Sequence, residues 1–163
     1  SQFFRGMVDK YSWVAIGSSY LMNDLSAAYL WGQLDIADEI NDERVNHWKM
    51  YYKGLSKLSK KGLLELPTVP DSCLHNGHMF YIKVKDLNER TNLIEHLKSH
   101  GIHAVFHYVP LHSAPAGIKF GTFFGEDIYT TTESERLVRL PLYYGIKQED
   151  IESVINTIVE YYA

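Results

Sequence analysis

The chain is poor in cysteine and has no long apolar run, and each absence excludes a class of protein. Cys73 is the only cysteine among the 163 residues, so an intramolecular disulfide is impossible and no cysteine pair can bind zinc. No apolar run approaches the ~20 residues that a membrane-spanning helix needs, and the N-terminus lacks a signal-peptide pattern. We therefore expect a cytoplasmic protein that has no membrane partner.

Positive charge is also scarce. The 16 Lys and Arg residues are outnumbered by 20 Asp and Glu residues, which gives a net charge of -4 at pH 7. A general nucleic-acid-binding protein would show a basic stripe, so we expect no nucleic-acid partner. A phosphate-bearing small molecule is still compatible with this charge, because a few local cations and backbone N–H groups can hold a phosphate.

Histidine, in contrast, is abundant. The chain has eight histidines, and two of them surround a proline in "VFHYVPLH", residues 105–112. Zinc needs three or four ligands in a tetrahedron, whereas these histidines fall on predicted strands and loops with no dense group of acidic residues nearby. We therefore predict no metal site, and a metal-binding regulatory domain is the weaker alternative. A nucleophile elbow, a P-loop and a dinucleotide glycine fingerprint are all absent.

The first third of the chain predicts helical structure. "SQFFRGMVDKYSW" has no initiator Met and starts within an apolar and aromatic stretch, so we expect a fragment of a longer protein. Asn23 is a suitable N-cap, and apolar residues then recur at helical spacing as far as a stop at Gly62. The polar stretch "DEINDER" interrupts this pattern. It predicts either one long helix from about residue 24 to 61 or two helices with a kink.

The remainder reads as a small α/β domain. "MFYIKVK" and "IHAVFHYV" alternate as strands, with the amphipathic helix "ERTNLIEHLKSHG" between them. A long loop, "SAPAGIKFGTFFGEDIY", precedes a helix that begins with a Thr132–Glu135 capping box. A short strand near Leu140–Leu142 and an amphipathic helix end the chain. These elements predict a sheet of a few strands with helices on one face.

Three stretches together resemble a known family. "VDKYSWVAIGSSYLMNDLSAAYLWGQL" comes first, "HMFYIKV" then precedes "GIHAVFHYVPLH", and "SERLVRLPLYYGI" precedes the last helix. Over essentially the whole chain they are similar to the C-terminal part of the pyridoxal-phosphate-dependent sugar aminotransferases of the DegT/DnrJ/EryC1/StrS family. The "DKYSW" and "FHYVPLH" stretches most resemble those members that aminate C4 of TDP-linked 4-keto-6-deoxy sugars for bacterial common-antigen synthesis.

The resemblance implies a fold-type-I aminotransferase that works as a homodimer on a nucleotide-sugar and glutamate. Residues 1–23 would then be the end of the large cofactor domain, residues 24–62 a long connecting helix, and residues 63–163 the small C-terminal α/β domain. The lysine that holds pyridoxal phosphate is implied to lie upstream, so no catalytic residue is assigned here. We expect the chain alone to have no transaminase activity.

The resemblance also implies contacts with the cofactor. Relatives carry an Asn-Tyr-Arg-like triplet whose asparagine reaches the cofactor phosphate across the dimer, and Ser19-Tyr20-Leu21 stands in its place. Ser18, Ser19 and Tyr20 are therefore the implied cofactor-binding residues. A serine hydroxyl can still donate to a phosphate, although its reach is shorter than that of asparagine.

Four further residues are implied to bind substrate. Lys10 lies where relatives place a lysine on the nucleotide diphosphate, and His107 with Tyr108 matches a pair that contacts the sugar in relatives. Because adjacent strand residues face opposite ways, both can touch one ligand only if the strand bends there, and we expect Pro110 to end it. His112 ranks below these as a supporting group. The alternative to an aminotransferase domain is a stand-alone binding or dimerisation module.

Overall fold

The computed structural model describes residue 16 and residues 20–163. The chain divides into two compact units, Ser1–Ile36 and Ala37–Ala163. All the buried apolar residues that the structure describes belong to the second unit, where they form one hydrophobic core.

The helical stretch consists of two helices, which is the second of the two predicted alternatives. Helix α1 spans Asp24–Leu34 and helix α2 spans Ala37–Lys60. The side chain of Asn23 accepts a hydrogen bond from the backbone N–H of Ser26 at 2.9 Å, which confirms the predicted N-cap. None of the residues of α1 is buried. The role of residues 24–62 as a connection between domains stays a prediction.

Helix α2 supplies one wall of the core. Trp48, Tyr51, Leu55 and Leu58 recur every three or four residues and are buried along one face of the helix. Helix α2 ends at Lys60, two residues before the predicted stop at Gly62, whose φ of 73° is the left-handed conformation that glycine adopts without a steric penalty.

Three short strands form an antiparallel sheet in the order β1-β3-β2. Strand β1 is Phe80–Lys83, β2 is Val105–Phe106 and β3 is Leu137–Leu140. Burial alternates along β1 and β3, so one face of the sheet meets the core and the other is half-exposed. The helices that follow α2 are α3, α4, α5 and α6, which span Leu87–Ser99, Pro115–Phe120, Thr130–Arg136 and Gln148–Tyr161. This small sheet with its helices confirms the predicted fold class.

Strand β2 is shorter than the alternating pattern predicted. Ile102 and Ala104 are buried, but Phe106 and Tyr108, which a regular alternating strand would place on the same face, are 48% and 75% exposed. The ladder stops at Phe106 because the backbone of Tyr108 has a φ of 60°, which no strand can contain. The prediction that Pro110 ends the strand was therefore wrong.

The segment between β2 and β3 also differs from the predicted long loop. It contains a 3-10 turn at Leu111–Ser113 and helix α4. Helix α5 begins at Thr130, two residues before the predicted capping residue Thr132. The carboxylate of Asp127 accepts a hydrogen bond from the backbone N–H of Thr131 at 3.2 Å. This bond satisfies an N–H group of the first helical turn, which was the role predicted for the capping box. Strand β3 lies at Leu137–Leu140, slightly earlier than predicted.

Candidate functional site

The candidate site is built on the bend that ends strand β2. Tyr108, with its φ of 60°, is the one residue other than glycine with a left-handed backbone in the part of the chain that the structure describes. Such conformations cost energy and are found preferentially at functional sites. The bend brings the rings of His107 and Tyr108 together, with 4.6 Å between centroids and 68° between planes. The strand therefore bends at this point, as it must if His107 and Tyr108 are both to contact one ligand.

Arg139 contacts this pair from the central strand. Its Nη1 lies 3.2 Å from Nδ1 of His107. In the antiparallel register, Arg139 stands between Tyr81 of β1 and Val105 of β2, on the face of the sheet away from the core. The flanking residues Val138 and Leu140 point into the core, which fixes the direction of the arginine side chain. Sequence reasoning missed Arg139, although an arginine inside the apolar run "LVRLP" was the signal.

His112 is held by residues of the segment that precedes α5. Its Nε2 lies 2.8 Å from Oδ2 of Asp127, and its ring packs against Phe123 with 4.4 Å between centroids. The hydroxyl of Thr131 also donates to Asp127. This hydroxyl, together with the nearby His112, holds the pKa of the Asp127 carboxyl below its usual range. One of the two ring nitrogens of His112 is therefore already engaged within the chain.

The remaining predicted site residues are Lys10, Ser18, Ser19 and Tyr20. Lys10, Ser18 and Ser19 lie outside the described residues. Tyr20 is described and is 93% exposed. The structure therefore brings His107 and Tyr108 together, and places His112 in a hydrogen-bonded group with Asp127.

The outer face of the sheet also carries a four-charge cluster of Glu65, Lys83, Glu133 and Arg136. Lys83 Nζ lies 2.8 Å from a carboxylate oxygen of each glutamate. Arg136 pairs with the same two carboxylates and donates from Nε to the carbonyl of Val84 at 2.7 Å. Hydrogen bonds with these partners raise the pKa of Lys83 and lower the pKa of each glutamate below its ordinary value of 4.5.

Pyridoxal phosphate attachment needs a lysine amine that is screened from water and unprotonated when it reacts. Lys83 is paired with two carboxylates, and its pKa is raised rather than lowered. Each of the other lysines that the structure describes is exposed. The described lysines therefore do not fit covalent attachment of the cofactor.

Among residue 16 and residues 20–163, no group of three His, Cys, Asp or Glu side chains is arranged to hold a metal ion. None of the helices in this part of the chain has the length and apolar character to cross a bilayer. A cleft of about 610 Å³ lies where His103 and Pro141 approach the start of α6, and it contains none of the predicted site residues.

The chain is similar to proteins that are much longer. It is 30% identical over 152 residues to the uncharacterized protein MJ1066 of Methanocaldococcus jannaschii, a match that covers 91% of this chain and 39% of that protein. It superposes on DesV of S. venezuelae in complex with a ketimine intermediate, with a TM-score of 0.76, 24% identity, and coverage of 94% of this chain and 40% of DesV.

A second solved structure gives the same result. NtdA of Bacillus subtilis, with its cofactor PMP bound, matches with a TM-score of 0.78 and 22% identity over 94% of this chain and 35% of NtdA. At these identities the two structural matches establish a shared fold. The chain thus spans about two fifths of the length of these proteins. The model of the DegT/DnrJ/EryC1/StrS aminotransferase family matches residues 3–159, and the chain therefore belongs to that family.

Proposed function

We propose that this chain is the C-terminal part of a pyridoxal-phosphate-dependent TDP-4-oxo-6-deoxy-D-glucose transaminase. The whole protein would be a cytoplasmic homodimer that aminates C4 of a TDP-linked 4-keto-6-deoxy sugar with glutamate, for common-antigen synthesis. Membership of the family supports the aminotransferase activity. The stretches "DKYSW", "GSSY" and "FHYVPLH" support the particular sugar.

The role proposed for this chain is to bind and orient the nucleotide-sugar. The observation that supports it is the left-handed bend at Tyr108, where the rings of His107 and Tyr108 are in edge-to-face contact. Imidazole and phenol groups offer hydrogen bonds to sugar hydroxyl and phosphate oxygens. Holding the sugar in one orientation would lower the entropic part of the activation barrier.

The remaining implied contacts belong to the same proposal. Lys10 would pair with the nucleotide diphosphate as a compact cation. Ser18, Ser19 and Tyr20 would contribute to the cofactor phosphate site of the partner subunit. His112 would support the sugar site indirectly, because its contact with Asp127 ties the 3-10 turn to the segment before α5.

Pyridoxal phosphate, when bound to the whole protein, would supply the amino-transfer chemistry itself. As the resemblance to the family implies, we assign the attachment lysine to a part of the protein upstream of this chain. The poor fit of the described lysines to this attachment supports the assignment. No residue of this chain is given a catalytic role.

The first test is His107→Ala in the full-length protein. Loss of a hydrogen bond to a charged or hydroxyl oxygen costs about 1–3 kcal/mol, so KM for the nucleotide-sugar should rise about 5- to 150-fold. The half-reaction with glutamate, followed by the absorbance of the cofactor, should keep its rate. His103→Ala is the matched control, because His103 is an exposed histidine on the same segment and takes no part in the hydrogen bond between His107 and Arg139.

Loss of the glutamate half-reaction in His107→Ala would contradict a role on the sugar side. An unchanged KM for the nucleotide-sugar would also contradict it. A KM that rises equally in His103→Ala would mean that the segment as a whole, and not the His107 side chain, affects binding.

A stand-alone binding or dimerisation module is the second candidate. Helix α1 favours it, since Leu25 and Trp31 are 85% and 72% exposed and large exposed apolar groups are typical of interaction surfaces. This candidate predicts a dimer that does not bind a TDP-sugar. A gene whose upstream part encodes the family's lysine motif would favour the aminotransferase instead.

A further inference from the structure

We propose that Arg139 is a positioning residue that fixes His107 in one tautomer and one ring orientation, so that His107 presents an N–H donor to the substrate. The inference rests on the proposed function and deepens it. It identifies what His107 can bind and assigns a role to an arginine outside the predicted site.

The tautomer follows from the chemistry of the contact. A guanidinium group carries only donors, so Nδ1 of His107 must be the acceptor in the 3.2 Å contact with Nη1 of Arg139. A neutral imidazole that accepts at Nδ1 carries its proton on Nε2. A ring flip of about 180° would turn a carbon toward the guanidinium and lose the hydrogen bond, so the same contact fixes the orientation of the ring.

The sheet holds Arg139 in place for this task. Arg139 lies on the central strand, paired with Tyr81 on one side and Val105 on the other. Its neighbours Val138 and Leu140 are 0% and 5% exposed, which locks the backbone on which the guanidinium depends. The Nε atom of Arg139 is buried and has no hydrogen-bond partner in the described part of the chain. The contact of Nη1 with His107 is therefore a principal polar interaction of the arginine side chain.

This arrangement restricts what the site accepts. Nε2 of His107 makes no hydrogen bond to any residue that the structure describes, which leaves its N–H for a ligand. A group that only donates at this position pairs with an oxygen acceptor, such as a phosphate oxygen or the lone pair of a sugar hydroxyl. It would not pair with an ammonium group. The site therefore selects the oxygen-rich part of a nucleotide-sugar.

The test is a tautomer measurement on the full chain. Two-dimensional ¹⁵N–¹H NMR of labelled histidine distinguishes a ring that is protonated at Nε2 from one that exchanges its proton between the two nitrogens. In the wild type, His107 should show the Nε2–H form alone. Arg139→Met should give an exchange-averaged signal, and Arg139→Gln should do the same because an amide can accept as well as donate. Arg90→Met is the control, since this half-buried arginine donates to the carbonyl of Ser134 and not to His107.

The functional half of the test compares nucleotide-sugar kinetics in the full-length protein. Arg139→Met should raise KM about three- to tenfold, less than His107→Ala, because the correct orientation is still sampled part of the time. The value of kcat should change less than KM. An unchanged tautomer in both Arg139 variants would overturn the inference. So would a rise in KM without a change of tautomer, because Arg139 would then act on the ligand itself.

These outcomes are separate from the test of the proposed function. If His107→Ala leaves KM unchanged, the proposed sugar contact fails whatever the NMR result. If His107→Ala raises KM while Arg139→Met alters the tautomer but not KM, the sugar contact stands and the role of Arg139 is refuted.

Discussion

Tyr108 has a backbone that glycine would adopt more readily. A left-handed conformation costs an ordinary residue about 1–2 kcal/mol, and here it is held by the turn that leads from β2 to the 3-10 turn at Leu111–Ser113. The side chain is 75% exposed, so burial of the phenol ring offsets little of this cost. The conformation is explained if the ring is needed at this place for binding.

Substitution of Tyr108 separates backbone strain from ring function. Tyr108→Gly should leave the free energy of unfolding within about 0.5 kcal/mol of wild type, because relief of strain offsets the loss of ring contacts. Tyr108→Val should lower it by about 1 kcal/mol or more, because a β-branched residue tolerates this conformation least. Urea denaturation measures both. Equal stabilities of the two variants would show that the turn does not impose the left-handed conformation in solution.

At the scale of elements, the four-charge cluster of Glu65, Lys83, Glu133 and Arg136 connects three parts of the second unit. Glu65 forms an isolated bridge with Lys83 of β1, and Glu133 and Arg136 lie on α5. Alternating signs let each carboxylate pair with both cations. The cluster therefore fixes the position of α5 relative to β1, and with it the direction from which β3 enters the sheet.

The cluster predicts a pH-dependent contribution to stability. Because the pKa values of Glu65 and Glu133 are lowered in the folded state, the contribution is present above the ordinary pKa of 4.5 and is lost as pH falls through the lowered values. Glu65→Gln/Glu133→Gln should lower the free energy of unfolding at pH 7 by about 1 kcal/mol, a modest value because both side chains are partly exposed.

Thermal unfolding from pH 7 to pH 3 would measure this effect. The difference in stability between the wild type and the double variant should become smaller as the carboxyl groups of the wild type become protonated. At pH 7, addition of 1 M salt should also make this difference smaller. Glu95→Gln serves as the control, since Glu95 has no ion pair among the residues that the structure describes. A difference that stays constant with pH would contradict the electrostatic explanation.

Helices α2 and α6 approach each other closely at Gly54. A Cβ atom at Gly54 would lie 2.7 Å from Cδ1 and 2.9 Å from Cγ2 of Ile155. The glycine therefore permits an approach of the two helices that a larger residue would prevent. Nothing in the local helical pattern of "MYYKGLSKL" indicates this, because the neighbour comes from about 100 residues further along the chain.

At the scale of the whole molecule, the chain is expected to lack stable cofactor binding. Of the lysines that the structure describes, Lys83 is engaged by Glu65 and Glu133, and the others are exposed to water rather than held in a desolvated pocket. Pyridoxal phosphate mixed with the 163-residue chain should therefore give no stoichiometric absorbance band that survives dialysis. The full-length protein, treated in the same way, should retain one. A stable band on the chain alone would refute the assignment of the attachment lysine to an upstream segment.

The sequence by itself indicated helices α3 and α6, the first strand and the fold class, and its resemblance to the family proposed His107 and Tyr108 as the pair of interest. These features follow from local periodicity, from caps such as Asn23 and Gly62, and from motifs that are contiguous in the chain. Local energetics act over a few residues, so a pattern of that length is sufficient to indicate them.

Only the tertiary structure decided where β2 stops and which residue stands behind His107. The partner is Arg139, 32 residues away, and it reaches His107 through the antiparallel pairing of β2 with β3. That register is set by which side chains the common core accepts, Val138 and Leu140 among them. The sequence therefore identified the histidine, whereas the packing of the sheet determined which of its ring nitrogens can donate to a ligand.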